Sequence, residues 1–432
     1  MFSNLFFVIA ILLLISTVSS SHPHHSVDQF WLIASLAAFT YLGTLLLIFL
    51  QNRNFRKRLI FAKEQLIFLS NIELILLFVF LFFVIEVQQV IFLVPVAPFE
   101  ITTLTVATLL AYFFGLAVSY YSCESTQSSK ESVHRTWRSI RFLLPFTIPF
   151  LIFILVSEGV SLFNVSIDDS MAFYVVSLAT LVGFIGIVIL YPPLIVWLWR
   201  CRNLEDRELL VRLDALCKRA DFKHAGFKIW TIMEGALTAA IIGVIKQFRY
   251  VMFTPALLQR LSPDAIEAVL AHEIGHHRYK HLLIYPFILF GMIISGMIGS
   301  SLIYDLIVQD PMQVSSEFES LLTFVLFIIS AALYFRYIFG YFSRLFERQA
   351  DLYVFELKVP PEHLIDALNA LAIGSGVDPH LPNWHHFGIQ KRIDFIRSVE
   401  RNPTLFQRYQ RKVYFSLIVY FVILALSFFI IT

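Results

Sequence analysis

Apolar residues in this chain come in blocks of about 20, the length an α-helix needs to cross a ~30 Å hydrocarbon layer. Such blocks stand near 4–20, 30–50, 67–90, 101–121, 142–163, 172–199, 282–303, 320–340 and 413–431. Lipid offers no partner to an open backbone group, so each block is predicted to be helical. Composition agrees: 58% of the 432 residues are hydrophobic and 15% are charged, far from the balance of a water-soluble globular chain. The expected fold class is mainly α: a polytopic α-helical membrane protein of about nine spans. The third block carries Glu73 and Glu86 and reads as one tilted span or as a span with a re-entrant piece. The first block, with Ser19, Ser20 and Ser21 behind it, has some look of a signal peptide. No Lys or Arg precedes it, which favours an uncleaved span.

Orientation follows from the basic residues. Arg53, Arg56, Lys57, Arg58 and Lys63 lie between the second and third spans, and Lys130, Arg135, Arg138 and Arg141 between the fourth and fifth. Both connections are predicted to be cytoplasmic. The alternate connections, 21–29, 95–100, 164–171 and 304–319, hold no Lys or Arg but carry Asp28, Glu100, Asp168, Asp169, Asp305, Asp310, Glu317 and Glu319. Among the basic residues only Arg336 falls inside a predicted span, near its cytoplasmic end.

The chain divides at these boundaries. Residues 1–199 form an N-terminal membrane region of about six spans, 282–340 a transmembrane hairpin and 413–432 a C-terminal span. Two polar segments, 200–281 and 341–412, lie on the cytoplasmic side, together large enough for one modest globular domain. In the first, Leu209, Leu213 and Leu216 recur at helical spacing, and Phe227 to Tyr250 reads as strands interrupted by Gly235 and Gly243. Ser262 is a good N-cap, Pro263 suits the first helical position, and Asp264 and Glu267 suit the positive end of the dipole, so a helix is predicted from there to about His281.

Net charge is only +2 and no DNA or RNA motif is present, so a nucleic-acid partner is not expected. Cys123, Cys201 and Cys217 lack the close spacing of a disulfide framework or a cysteine metal site.

Inside the predicted helix stands His272-Glu273-Ile274-Gly275-His276, an HExxH pattern. Histidines four apart share a helical face and can reach one ion, while Glu273, about 100° round, can contact water on it. Catalytic zinc needs a third protein ligand and one open position. Glu347, in Ser343-Arg344-Leu345-Phe346-Glu347-Arg348-Gln349-Ala350-Asp351, is the candidate. Asp351, one turn on, would accept the remaining ring N–H of a ligand histidine.

HExxH followed, after a membrane hairpin, by SRxxExxxD resembles the membrane-embedded gluzincin peptidases that include CAAX prenyl protease type 1 and HtpX. The resemblance covers about residues 200–400, including Phe253 to Leu261 before the helix and the Ala350-Asp351 pair. It implies a cytoplasmic α+β zincin-type domain and one Zn2+ per chain, held by His272, His276 and Glu347. Glu273 would be the general base, with Asp351 and Arg344 beside the ligands without binding the ion. The substrate would be a peptide or protein, met at the lipid bilayer. Two positions depart from the family pattern. Thr238-Ala239 with Gly243 replaces its Asn-Ala edge strand, and Asn383-Trp384-His385-His386 replaces its late His-Pro element. His386, with His385 close behind, is the candidate for stabilising the oxyanion.

Other histidines read otherwise. His277 and His281 are expected to face solvent; His22, His24 and His25 form an outer polar loop able to hold metal weakly. Asn164-Val165-Ser166 is a glycosylation sequon, relevant in a eukaryotic host. Three readings compete with a peptidase of protein processing or quality control. A zinc-peptidase sensor lacks an outer domain to receive a signal. A transporter rests on intramembrane Glu73, Glu86 and Glu158. An intramembrane protease is opposed by an HExxH helix that precedes its span. The membrane would be the plasma or inner membrane of a bacterium, or the endoplasmic reticulum of a eukaryote.

Overall fold

The computed structural model describes residues 2–16, 27–57, 62–85, 87, 99–123, 129–161, 169–233, 235–308, 316–375 and 388–431. They fall into two units, Met1–Cys201 and Arg202–Thr432.

Among its described residues the first unit holds six helices: α1 (Phe2–Ser16), α2 (Val27–Lys57), α3 (Lys63–Phe83), α4 (Glu100–Cys123), α5 (Ser129–Ser161) and α6 (Asp169–Leu198). Across both units, eight described helices are long and apolar enough to span a bilayer. The expected polytopic helical architecture is found, and the first apolar block is described over α1, 15 residues, with 17–20 outside the described residues. Val8, Ile11 and Ile15 pack α1 inside the unit.

The fully buried polar side chains described in this unit are neutral, and several hydrogen-bond one another across helices, which offsets the cost of burying them. Asn4 donates to Ser139 (2.8 Å), Asn71 donates to Asn4 (3.3 Å), and Tyr112 donates to Asn71 (2.6 Å). Asn52 donates to both Ser70 and Ser122, each at 3.0 Å. Glu158 accepts the backbone N–H groups of Ile101 (2.7 Å) and Thr102 (3.0 Å), capping the start of α4. Half-buried Glu73 bonds to Gln51, and Glu86 lies outside the described residues. Both described acids that favoured a transporter thus have local partners.

The second unit holds β1 (Arg202–Asn203), α7 (Arg207–Arg219), β2 (Gly226–Ile229), β3 (Ala239–Ile242), β4 (Tyr250–Phe253), α8 (Pro255–Arg260) and α9 (Pro263–Arg278). After these come α10 (His281–Ile307), α11 (Ser316–Tyr334), α12 (Gly340–Asp351), α13 (Tyr353–Glu356), α14 (Pro361–Ser375), α15 (Ile389–Arg401) and α16 (Thr404–Ile431). The sheet runs β1-β2-β4-β3; β2 and β4 are parallel and the other pairs antiparallel. Among the described residues β3 is therefore an edge strand. Its entry is pinned by buried Thr254, whose hydroxyl donates to Thr238 O (3.0 Å) and accepts from Thr238 N (3.2 Å). Its exit needs Gly243: φ is +102°, and a Cβ would meet Phe248 O at 2.3 Å.

The start of α9 follows the expected signals, with Pro263 at its first turn and the Ser262 hydroxyl accepting from Ala265 N at 3.2 Å. Asp264 and Glu267 also pair with α7: Arg212 contacts both, and Arg219 lies 3.1 Å from Glu267. Leu213, Leu216, Val251, Phe253, Leu270, Ile274, Val354 and Ile396 meet in one apolar core between the sheet and the helices. The eighth predicted span and the helix bearing Glu347 are one rod, since α11 passes through a π-helical turn, Phe335–Phe339, into α12.

Candidate active site

Two helices build the site, and a glycine lets them meet. A Cβ at Gly275 would lie 2.8 Å from Tyr353 Cβ and 3.0 Å from Ala350 O. No larger residue fits between α9 and the α12–α13 corner without displacing backbone. This close approach puts Glu347 opposite the two histidines of α9.

His272 Nε2 and His276 Nε2 face each other at 3.2 Å; the Glu347 carboxylate is 3.8 Å from the first and 3.5 Å from the second. Four ligands about 2.0–2.1 Å from a tetrahedral ion stand roughly 3.3 Å apart. The triangle has the edge lengths of a zinc site with three protein ligands, and these are the three residues among those described that group as a metal site. Glu273 lines the same cavity, about 660 Å³ in volume, along with Thr238, Ala239 to Ile241 of β3, Leu364 and Leu368 of α14, and Arg392. An extended peptide laid on the free edge of β3 would pass the triangle and Glu273 within one cleft.

Asp351 is fully buried and its carboxylate lies 2.9 Å from His272 Nδ1. That contact leaves the His272 Nε2 lone pair for an ion. Arg392 of α15 makes a two-pronged contact with Asp351, Nε at 2.9 Å and Nη2 at 2.6 Å, and its third nitrogen is 3.3 Å from Glu347. Arg344 does not line the cavity; the described arginine that does is Arg392. His385 and His386 lie outside the described residues.

The electrostatics follow from this burial. Desolvation lifts the Glu273 carboxyl to about 7, helped by the Glu347 charge and opposed by His272 and Arg392. Desolvation drives the His276 ring well below its ordinary value. At His272 the same penalty is outweighed by the Asp351 hydrogen bond and the charges of Asp351 and Glu347, which raise it. At Arg392 burial is likewise outweighed, by Asp351 and Glu347, so the guanidinium stays firmly charged.

Two expectations about histidines are corrected. His281 is 1% exposed, and its Nδ1 stands 2.9 Å from His276 Nδ1. The predicted helix does not run on to His281: Lys280 takes a left-handed conformation with φ +58° and restarts the chain as α10, turning His281 back toward the site. His277 is half-buried edge-on to Phe222 at 5.0 Å, and burial, aided by Arg249, lowers it to about 4. Sequence reading also left Arg392 without a role. The available signal was an arginine on the stripe Ile389, Ile393 and Ile396, the apolar face of an amphipathic helix.

A zincin-like pair of helices beside a small sheet, carried with membrane-spanning helices, defines the class: a multi-pass integral membrane metallopeptidase. Residues 203–400 match the family model of peptidase family M48. The fold is similar to the crystal structure of S. mikatae Ste24p, with a TM-score of 0.51 and 19% identity, covering 90% of this chain and 99% of that one. Among curated proteins no sequence match is found.

Proposed function

We propose that the protein is a zinc-dependent endopeptidase that cuts peptide bonds of protein substrates at a cytoplasm-facing site. The observation that carries this reading is the His272–His276–Glu347 triangle at tetrahedral edge spacing, with Glu273 in the same cleft. A bound zinc ion would supply Lewis acidity toward the scissile carbonyl and acidify water. Glu273 takes the proton of the attacking water and returns it to the leaving amine. A carboxyl lifted to about 7 is well matched to exchanging a proton near neutrality. The edge of β3 holds the substrate extended through backbone hydrogen bonds, which ask little of its sequence. Asp351, held by Arg392, fixes the His272 ring. The physiological process is of the CAAX-processing or the membrane quality-control kind.

The test is Glu273→Gln in purified protein. It should keep zinc while peptide cleavage falls at least 100-fold; cleavage at the wild-type rate would remove Glu273 as the base. Orientation is tested in a cysteine-free background with a membrane-impermeant thiol reagent on intact cells. Ser166→Cys and Ser315→Cys should label, whereas exposed Glu400→Cys should not, and the opposite pattern would reverse the topology.

A further inference from the structure

A chain of hydrogen bonds leaves the candidate metal centre through His276 and ends at the protein surface. His276 Nδ1 meets His281 Nδ1 at 2.9 Å, and His281 Nε2 meets Gln349 Oε1 at 2.9 Å. Gln349 Nε2 donates to Gln410 Oε1, Gln410 Nε2 donates to the Tyr279 hydroxyl at 2.8 Å, and that hydroxyl donates to exposed Glu356 at 2.7 Å. His281 and Gln349 are 1% and 2% exposed, so neither can turn to water for a substitute partner.

The direction of this chain can be read from its outer end. An ionised carboxylate only accepts, so Tyr279 must donate to Glu356. Its oxygen then receives the Gln410 amide N–H, whose carbonyl receives the Gln349 amide, whose own carbonyl faces His281 Nε2. A carbonyl also only accepts, so His281 carries its proton on Nε2 and offers a lone pair at Nδ1. That lone pair requires the proton of His276 on Nδ1. The His276 Nε2 lone pair is thereby left facing His272 Nε2 and Glu347.

We propose that His281 is a positioning residue which, through the one-way relay of Gln349, Gln410, Tyr279 and Glu356, locks His276 in its metal-binding tautomer and orientation. The relay ties the centre to α16, the C-terminal membrane helix that carries Gln410, and to the left-handed turn at Lys280 that brings His281 into place. His272 has its own anchor in Asp351, so each ligand histidine is held by a different device. The inference rests on the metal reading given above.

The experiment measures Zn2+ affinity of the full-length purified protein by competition with a chromophoric chelator, with Co2+ absorption as a second readout. His281→Phe keeps the ring stacked on Phe346, now at 4.2 Å and 12°, but loses both hydrogen bonds. It should keep its unfolding temperature and lose about 10- to 100-fold in Zn2+ affinity. His281→Gln retains an acceptor and a donor and should recover part of that loss. Gln410→Leu, which touches no ligand, should lose several-fold in affinity with an altered Co2+ spectrum, and it decides the matter if the Phe variant fails to fold. Wild-type affinity in both folded variants would overturn the relay while leaving the metal site standing. A wild-type protein that binds no Zn2+ would overturn both.

Discussion

The two units bury polar groups in opposite ways. In the N-terminal unit the interior clusters are neutral, Asn4–Ser139–Asn71–Tyr112 and Asn52–Ser70–Ser122, and their hydrogen bonds run between helices. In the second unit Glu347, Asp351 and Arg392 are each less than a tenth exposed and stand together with His272. Neutral pairs cost little to bury once satisfied, whereas buried charges survive only as a connected set. The difference teaches where chemistry resides: hydrogen bonds suffice to join helices, and a concentration of buried charge has a task beyond holding the fold.

The contrast breaks first at Arg392. Arg392→Met strands the carboxylates of Asp351 and Glu347 and should destabilise the second unit by about 3–5 kcal/mol with loss of cleavage. Adding Asp351→Asn removes one stranded charge and should recover part of the stability but not full activity. Equilibrium unfolding of the two single variants and the double variant gives the coupling between them. Additive effects would mean that the pair is not a connected set.

A smaller effect sharpens the other side. Asn71→Ala deletes a neutral donor and acceptor between helices, and such bonds inside membranes contribute about 0.6 kcal/mol on average. The thermal midpoint should fall slightly, with zinc content and kcat/KM unchanged. A large loss of activity in a folded Asn71→Ala protein would give the neutral cluster a role it is not assigned here.

Legibility followed the range over which each constraint acts. The spans could be read because each is a continuous local run, and HExxH because four-residue spacing on one helix settles the geometry within itself. Glu347 and Asp351 became readable beside HExxH, since a zinc site without a third ligand is incomplete. Arg392 lies 41 residues beyond Asp351 on an otherwise ordinary amphipathic helix, and only tertiary packing brings it to the site. His281 was misread because a continuing helix would have carried it away from His276, and a single left-handed residue, Lys280, reverses that.

The central claim is that His272, His276 and Glu347 hold one catalytic zinc, and metal analysis of the purified protein with X-ray absorption at the zinc edge tests it most directly. The wild type should hold about one zinc per chain, with two imidazole nitrogens at ~2.0–2.1 Å and oxygen filling the remaining positions. Glu347→Ala should lose occupancy together with cleavage, while Glu273→Gln keeps the metal spectrum of the wild type. Full zinc occupancy with an unchanged spectrum in Glu347→Ala would contradict the ligand assignment, and wild-type protein that cleaves peptide with no zinc would contradict the account as a whole.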